Sequence, residues 1–382
     1  MKPATKSIAN QPSWVIRSDQ VELAVTKLGG HMAPVRFYRD SRSPIQPYYI
    51  SPWQGEGLKI GEPVLVPLRG DFFCMPFGAP SAHQGRRHVC HGEPATRSWT
   101  LAGAAKQDGK TTITLRMKTT NMPGRVTKRL TLADGQNVVY VQHVLEGYSE
   151  ITPLGHHATL AMPEEPRTVH IATSPFRLGM TYPVPPGDAG AGEYYTIAVA
   201  KRFTELSRVP LRLKDHPYGS FADLPDRKGH CDLLAVFHKP GLFPAWTTAT
   251  FEEEGFLWFS LKDPRTLPSL IMWVENHGRH GSPWLGRNNC LGLEDVCAYF
   301  ATGMADSARP NVINKAGTAT TLKLSPKRPT VVNYIEGVVK VPRGFDRVKA
   351  VRFAKGRVTF LSASGRRARA PVNHDFLCTG KT

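Results

Sequence analysis

Thr111-Thr112-Ile113-Thr114-Leu115-Arg116-Met117 and Arg125-Val126-Thr127-Lys128-Arg129-Leu130-Thr131-Leu132 are the middle pair of four similar segments. Ser98-Trp99-Thr100-Leu101-Ala102 precedes them and Val138-Val139-Tyr140-Val141-Gln142-His143-Val144 follows. β-Branched and aromatic residues dominate, and apolar positions alternate with polar ones, the period of a half-buried strand. Asp108-Gly109 and Asp134-Gly135 are turn signals of the kind that close hairpins. Taken hairpin by hairpin, this is an antiparallel sheet. No strand–helix–strand alternation appears, which excludes a doubly wound parallel sheet.

The same reading extends outward in both directions. Residues 13–26 form two short strands around an Asp turn, Leu28-Gly29-Gly30-His31 is a turn, and strand character resumes over 33–38. Residues 44–61 form a long loop carrying Tyr48, Tyr49 and Trp53, and the apolar stretch 66–78 reads as buried. Downstream, residues 163–230 are looser. Their stretch 183–192, nearly all Pro, Gly, Ala and Asp, is an irregular excursion without the strand–Gly-x-Gly-x-x-Gly–helix context of a phosphate loop. Strands return at 232–237, 245–250, 255–261 and 269–274, and the tail from Thr330 alternates strands and turns to Leu377. The expectation is one all-β domain over residues 1–382, with a core of about 13–340 and additional C-terminal strands over 341–382.

Composition supports this. Gly 34 and Pro 32 suit many turns between short strands, and no apolar run reaches the length of a membrane span. Residues 1–10 are basic and polar and lack the apolar core of a secretion signal, so a cytoplasmic enzyme is expected. The six cysteines contain no C-x-x-C pair, which argues against zinc ribbons and thioredoxin-type sites, and they read as reduced and mostly buried. The net charge of +18 is compatible with nucleic acid or an anionic sugar. No nucleic-acid motif accompanies it, so no nucleic-acid partner is expected.

The chemistry-bearing stretch is Asn288-Asn289-Cys290-Leu291-Gly292-Leu293-Glu294-Asp295-Val296-Cys297-Ala298-Tyr299-Phe300. As a strand it puts Leu291 and Leu293 on one face and Gly292 and Glu294 on the other. Gly292 removes a side chain beside the carboxylate, so a ligand can approach closely. Apolar neighbours raise a carboxyl pKa, which suits a general base near neutral pH. The competing reading starts a short helix at Glu294. In Ile151-Thr152-Pro153-Leu154-Gly155-His156-His157-Ala158-Thr159-Leu160 the adjacent histidines point to opposite faces, so one can enter a cleft while the other packs. His83, His88 and His91 invite a metal reading, but their spacings fit neither a strand nor a helix, and no metal or other cofactor is expected. Arg69 and Asp71 either pair with each other or face a cleft.

These motifs together resemble the aldose 1-epimerase family, the galactose mutarotases. His91-Gly92 followed by Trp99, then Gly155-His156-His157, then Cys290-Leu291-Gly292-Leu293-Glu294 are similar to family motifs in order and spacing. The resemblance implies a galactose mutarotase-like β-supersandwich, two large antiparallel sheets with a sugar site in a concave face. It implies Glu294 as general base, His157 as general acid, and His91 and His156 as substrate contacts. Asp232 stands for the family's sugar-binding Asp. Phe77-Gly78-Ala79 lacks the family's Gly-Arg pair, and Arg69 or Arg86 would substitute.

The expected function is interconversion of sugar anomers by acid–base catalysis, with an anionic or phosphorylated sugar preferred on account of the basic charge. Acid and base are expected several Å apart, with a gap for the sugar ring. The alternatives are a non-catalytic carbohydrate-binding or regulatory module on the same fold and a metal-dependent sugar isomerase or lyase using His83, His88 and His91.

Overall fold

The computed structural model describes residues 3–382. Two large antiparallel sheets face each other. The first has nine strands, and four neighbours on one side are the strands of the opening stretch: Val138–Glu146, Gly124–Ala133, Lys110–Thr119 and Thr100–Gln107. Asp108 and Gly109, the corner between the last two, both take positive φ, 49° and 69°, which is why this turn has Asp-Gly. Thr330–Lys340 joins this run to Phe256–Lys262, Ala245–Phe251, Val169–Thr173 and Asp223–Leu224. The second sheet has eight strands, with Ser269–Asn276 and Asn289–Cys297 near its centre.

The main core lies between the sheets. On Thr330–Lys340 the residues Val332, Tyr334 and Val338 point into it, while Ile335 and Val339 point the opposite way into a second apolar core. That second core exists because a three-stranded sheet, Val348–Ala354, Arg357–Ser362 and Arg367–Pro371, covers the outside of the nine-stranded sheet with Val358, Phe360, Ala368 and Ala370. Burial on both faces explains why Phe256–Lys262 and Ala245–Phe251 carry no polar stripe exposed to solvent. A four-stranded sheet, Ala4–Ile8, Gln11–Arg17, Glu22–Thr26 and Met32–Arg36, packs at one end. Met1 and Lys2, part of the stretch read for a secretion signal, lie outside the described residues.

Helices are few and short, such as Gly92–Thr96 and Met304–Ala308, so the all-β expectation holds. No helix among the described residues is long and apolar enough to cross a membrane.

Candidate active site

The site begins with strand register. Gly155 pairs with Val296 and Ala158 with Leu293, so the short strands on either side of His157 keep the same register against Asn289–Cys297. His157 is therefore directly opposite Glu294, and His156 opposite Asp295. Glu294 sits within the strand Asn289–Cys297, so no helix starts there. Cross-strand neighbours are the closest side-chain pairs a sheet offers. The outcome is a contact of 3.2 Å between His157 Nε2 and Glu294 Oε1.

Gly292 and Trp273 are paired on neighbouring strands, and Trp273 pairs with Leu233. Leu233, Trp273, Glu294 and His157 all line one cavity of about 550 Å³, a size suited to a small molecule. A Cβ added at Gly292 would lie 2.8 Å from Glu294 Oε1 and 3.0 Å from Trp273 Cβ. The space expected to admit a ligand beside the carboxylate is thus taken by the carboxyl itself and by Trp273.

His91 reaches the same cavity from a tight loop. Its φ is 57°, and its Nδ1 accepts a 3.4 Å hydrogen bond from the Gly78 N–H. The Gly92 that follows is required sterically, since a Cβ there would fall 2.0 Å from the Met75 carbonyl oxygen. The His91 ring meets His157 edge-on at 4.9 Å between centroids. Phe72 is sandwiched between His31, stacked at 4.0 Å, and His157, stacked at 4.5 Å. This column fixes the His157 ring plane, and the His157 Nδ1–Thr159 Oγ1 contact of 3.1 Å sets its rotation.

Distance alone would admit an ion pair between His157 and Glu294, but burial acts against it. Desolvation pushes the Glu294 carboxyl well above its usual range. Desolvation first, then the neighbouring His91, pulls His157 well below the ordinary imidazole value. His91 is lowered to about 4 by desolvation. Both shifts run toward a neutral carboxyl and a neutral imidazole, in contact at 3.2 Å. The other carboxyl oxygen, Glu294 Oε2, is buried without a hydrogen-bond partner among the described residues. A buried oxygen of this kind is costly unless something polar meets it.

The expected gap between acid and base is absent. A sugar does not require one, because its anomeric hydroxyl and ring oxygen are substituents of the same carbon. Neighbouring groups can serve both from one side.

The other candidates go elsewhere. His156 points into the core between the sheets, where its Nδ1 is 2.9 Å from Asp71 Oδ2 and its ring stacks on Tyr334 at 4.0 Å. Arg69 is fully buried and donates to the carbonyls of Ile8 and Ala9 and to Gln54 Oε1, which makes it a tie to the N-terminal strands. It does not pair with Asp71. Arg86 pairs with Glu150 in the hairpin beyond the cavity. Asp232 is one position from Leu233, on the opposite face of its strand. It accepts hydrogen bonds from the backbone N–H groups of Thr196 and Ile197 and from the Thr196 hydroxyl. None of these four lines the cavity. His88 bonds Asn121 and lines a second cavity instead.

The cation on the cavity wall is Arg279, which the sequence reading missed. Its guanidinium lies 4.9 Å over Trp284 and 5.8 Å from Trp273. Its Nε is 3.6 Å from Glu275 and 3.7 Å from Glu193. Glu193 arrives from the Pro- and Gly-rich excursion, which is zipped onto residues 278–280 by Tyr194 N–H to Gly278 O, 3.0 Å, and His280 N–H to Gly192 O, 2.9 Å. That excursion is a wall of the site. Arg279 stands in an irregular segment, and no local periodicity points to it.

Comparison with solved structures gives the same architecture. A galactose mutarotase-like protein from Clostridium acetobutylicum superposes with a TM-score of 0.60 at 10% identity, covering 88% of this chain and 98% of that one. A proposed aldose 1-epimerase from Escherichia coli K12 gives 0.56 at 13% identity, covering 86% and 99%. A proposed mutarotase from Salmonella typhimurium gives 0.57 at 11%, covering 89% and 94%. At these identities the likeness establishes a mutarotase-like β-sandwich fold. No protein-family model and no curated protein sequence matches the chain.

Proposed function

We propose that this chain is an aldose 1-epimerase-like isomerase that interconverts sugar anomers with Glu294 and His157. The observation that carries the reading is the pair itself: a carboxyl and an imidazole in contact at 3.2 Å on the wall of a cavity of about 550 Å³. Mutarotation needs one group to take the anomeric hydroxyl proton while another gives a proton to the ring oxygen. A one-proton pair does both in a single passage. With the proton moved to His157, Glu294 is the base and His157 the acid. Ring opening leaves the proton on Glu294, the C1–C2 bond rotates, and closure on the other face runs the transfers backward. The pair ends as it began, and the reaction consumes nothing. Trp273 and Trp284 offer apolar faces for the C–H side of the ring, and His91 and Arg279 offer donors to its hydroxyls.

The cavity favours a neutral sugar over an anionic one. Arg279 is already balanced by Glu275 and Glu193, and Glu62 also lines the wall. Neither Arg69 nor Arg86 is there to add positive charge.

Saturation-transfer NMR between the α and β anomers, over a panel of neutral aldoses, sugar phosphates and uronates, tests the reading. Acceleration of at least one neutral aldose is expected. Binding of sugars without acceleration of any would replace it with a carbohydrate-binding module.

A further inference from the structure

The sheet that covers the second core carries a charge pattern the site does not use. Residues 341–382 hold ten cationic side chains against the two carboxylates Asp346 and Asp375, a surplus of eight within the chain's +18. The three strands pair so that Arg352, Thr359 and Arg369 form one row, with Leu361 and Arg367 in a neighbouring row. Strand alternation sends Val358, Phe360, Ala368 and Ala370 down into the core and these residues outward. Arg352, Arg357, Arg367 and Arg369 are exposed around a shallow groove of about 300 Å³. None of the four makes an ion pair or a side-chain hydrogen bond among the described residues. This differs from the basic side chains elsewhere that are tied to carboxylates, such as Arg125 to Glu146 and Arg287 to Glu56.

We infer that this arginine face binds the phosphate backbone of double-stranded nucleic acid without reading its sequence. Charge complementarity makes the occupant a polyanion. All four groove cations are arginines, whose planar fork matches phosphate oxygens. Rows about 10 Å wide across three strands, and about 7 Å between Arg367 and Arg369 along one strand, face several charges of a duplex at once. The face has no exposed large apolar side chain to insert into a lipid surface. Its one aromatic, Phe353, lines the groove but is half-buried against the second core, and no exposed ring is left for stacking single-stranded bases. A site that touches only backbone phosphates needs no nucleic-acid motif, so the absence of one in the sequence does not oppose it.

Fluorescence anisotropy of a labelled duplex of about 25 base pairs, titrated with the full chain between about 50 and 200 mM salt, tests this. Binding should weaken steeply with salt. Arg367→Ala/Arg369→Ala should reduce affinity about 10-fold near 100 mM salt and lower the log–log salt slope by about 2. Lys106→Ala/Lys118→Ala, which removes the same charge from the last two strands of the nine-stranded sheet, should change either quantity far less. Both pairs are exposed, and matching melting curves would establish that the variants are folded. Equal losses in the two variants, or wild-type binding by the arginine variant, would overturn the proposal. So would binding to phosphatidylserine vesicles or a sulfated polysaccharide without binding to the duplex.

Discussion

Two histidine–carboxylate pairs sit back to back, built on the consecutive residues His156 and His157. His156 and Asp71 meet at 2.9 Å, His157 and Glu294 at 3.2 Å, and all four side chains are at least nine-tenths buried. Burial therefore does not distinguish them. What lies beyond each pair does. His156 is packed against Tyr334, Phe73 and His143 between two sheets, with no space for a ligand. His157 faces the cavity, with Glu294 beside it on the same wall. The same chemistry is structural on one side of a strand and available for reaction on the other, because consecutive residues alternate faces.

The sharpest way to test that contrast is to disable the cavity pair. Glu294→Gln keeps the shape and still offers a donor to His157, but it cannot give or take the proton. On a sugar the wild type converts, anomer exchange should fall by about 10² to 10⁴-fold, with the fold intact by circular dichroism. His157→Asn should fall within the same range. Unchanged exchange in either would remove the pair from the mechanism.

The core pair should respond the opposite way. Asp71→Asn removes the charge facing His156 and one of the carboxylates near the buried Lys128, whose Nζ donates 2.7 Å to the Gly30 carbonyl. Loss of about 2 to 3 kcal/mol of stability is expected in denaturant melts. Turnover per folded molecule should stay within about threefold, since the cavity pair is not touched. A large loss of exchange with little loss of stability would show that the two pairs are coupled, and that the strand does not insulate them.

Sequence reading went furthest where structure is local. The four hairpin strands and the Asp108-Gly109 corner follow from alternation and turn chemistry, and Gly292 could be assigned because its effect acts on the next residue but one. The strand reading of Glu294 won over a helix start because residues 289–296 are paired along Ser269–Asn276, with Ile271 opposite Glu294. The residues of the cavity wall were less legible. Asp232 fails by a single position of strand parity, and Arg69 spends its donors on the N-terminal strands. Arg279 and Glu193 come together only because two irregular segments are zipped by backbone hydrogen bonds. Such a contact leaves no periodic trace in either segment.

The smallest effect concerns stability rather than rate, and its sign follows from the Glu294 shift. Burial raises this carboxyl's pKa in the folded state, so folding takes up a proton at any pH between the unfolded value, about 4, and the folded one. The stabilising contribution is complete below that unfolded value and is lost as pH rises toward the folded pKa. Glu294→Gln has no such proton to lose. Its melting temperature should equal that of the wild type near pH 4 and exceed it progressively at higher pH, by a few degrees near neutral pH. His157, lowered by burial, acts in the acid direction, losing stability as pH falls below the ordinary imidazole range. It is present in both proteins and cancels to first order in their difference. Wild type and variant melting in parallel across pH 4 to 9, tested by differential scanning fluorimetry, would mean that Glu294 is ionised in the folded chain. The resting pair would then be an ion pair, with His157 already holding the proton.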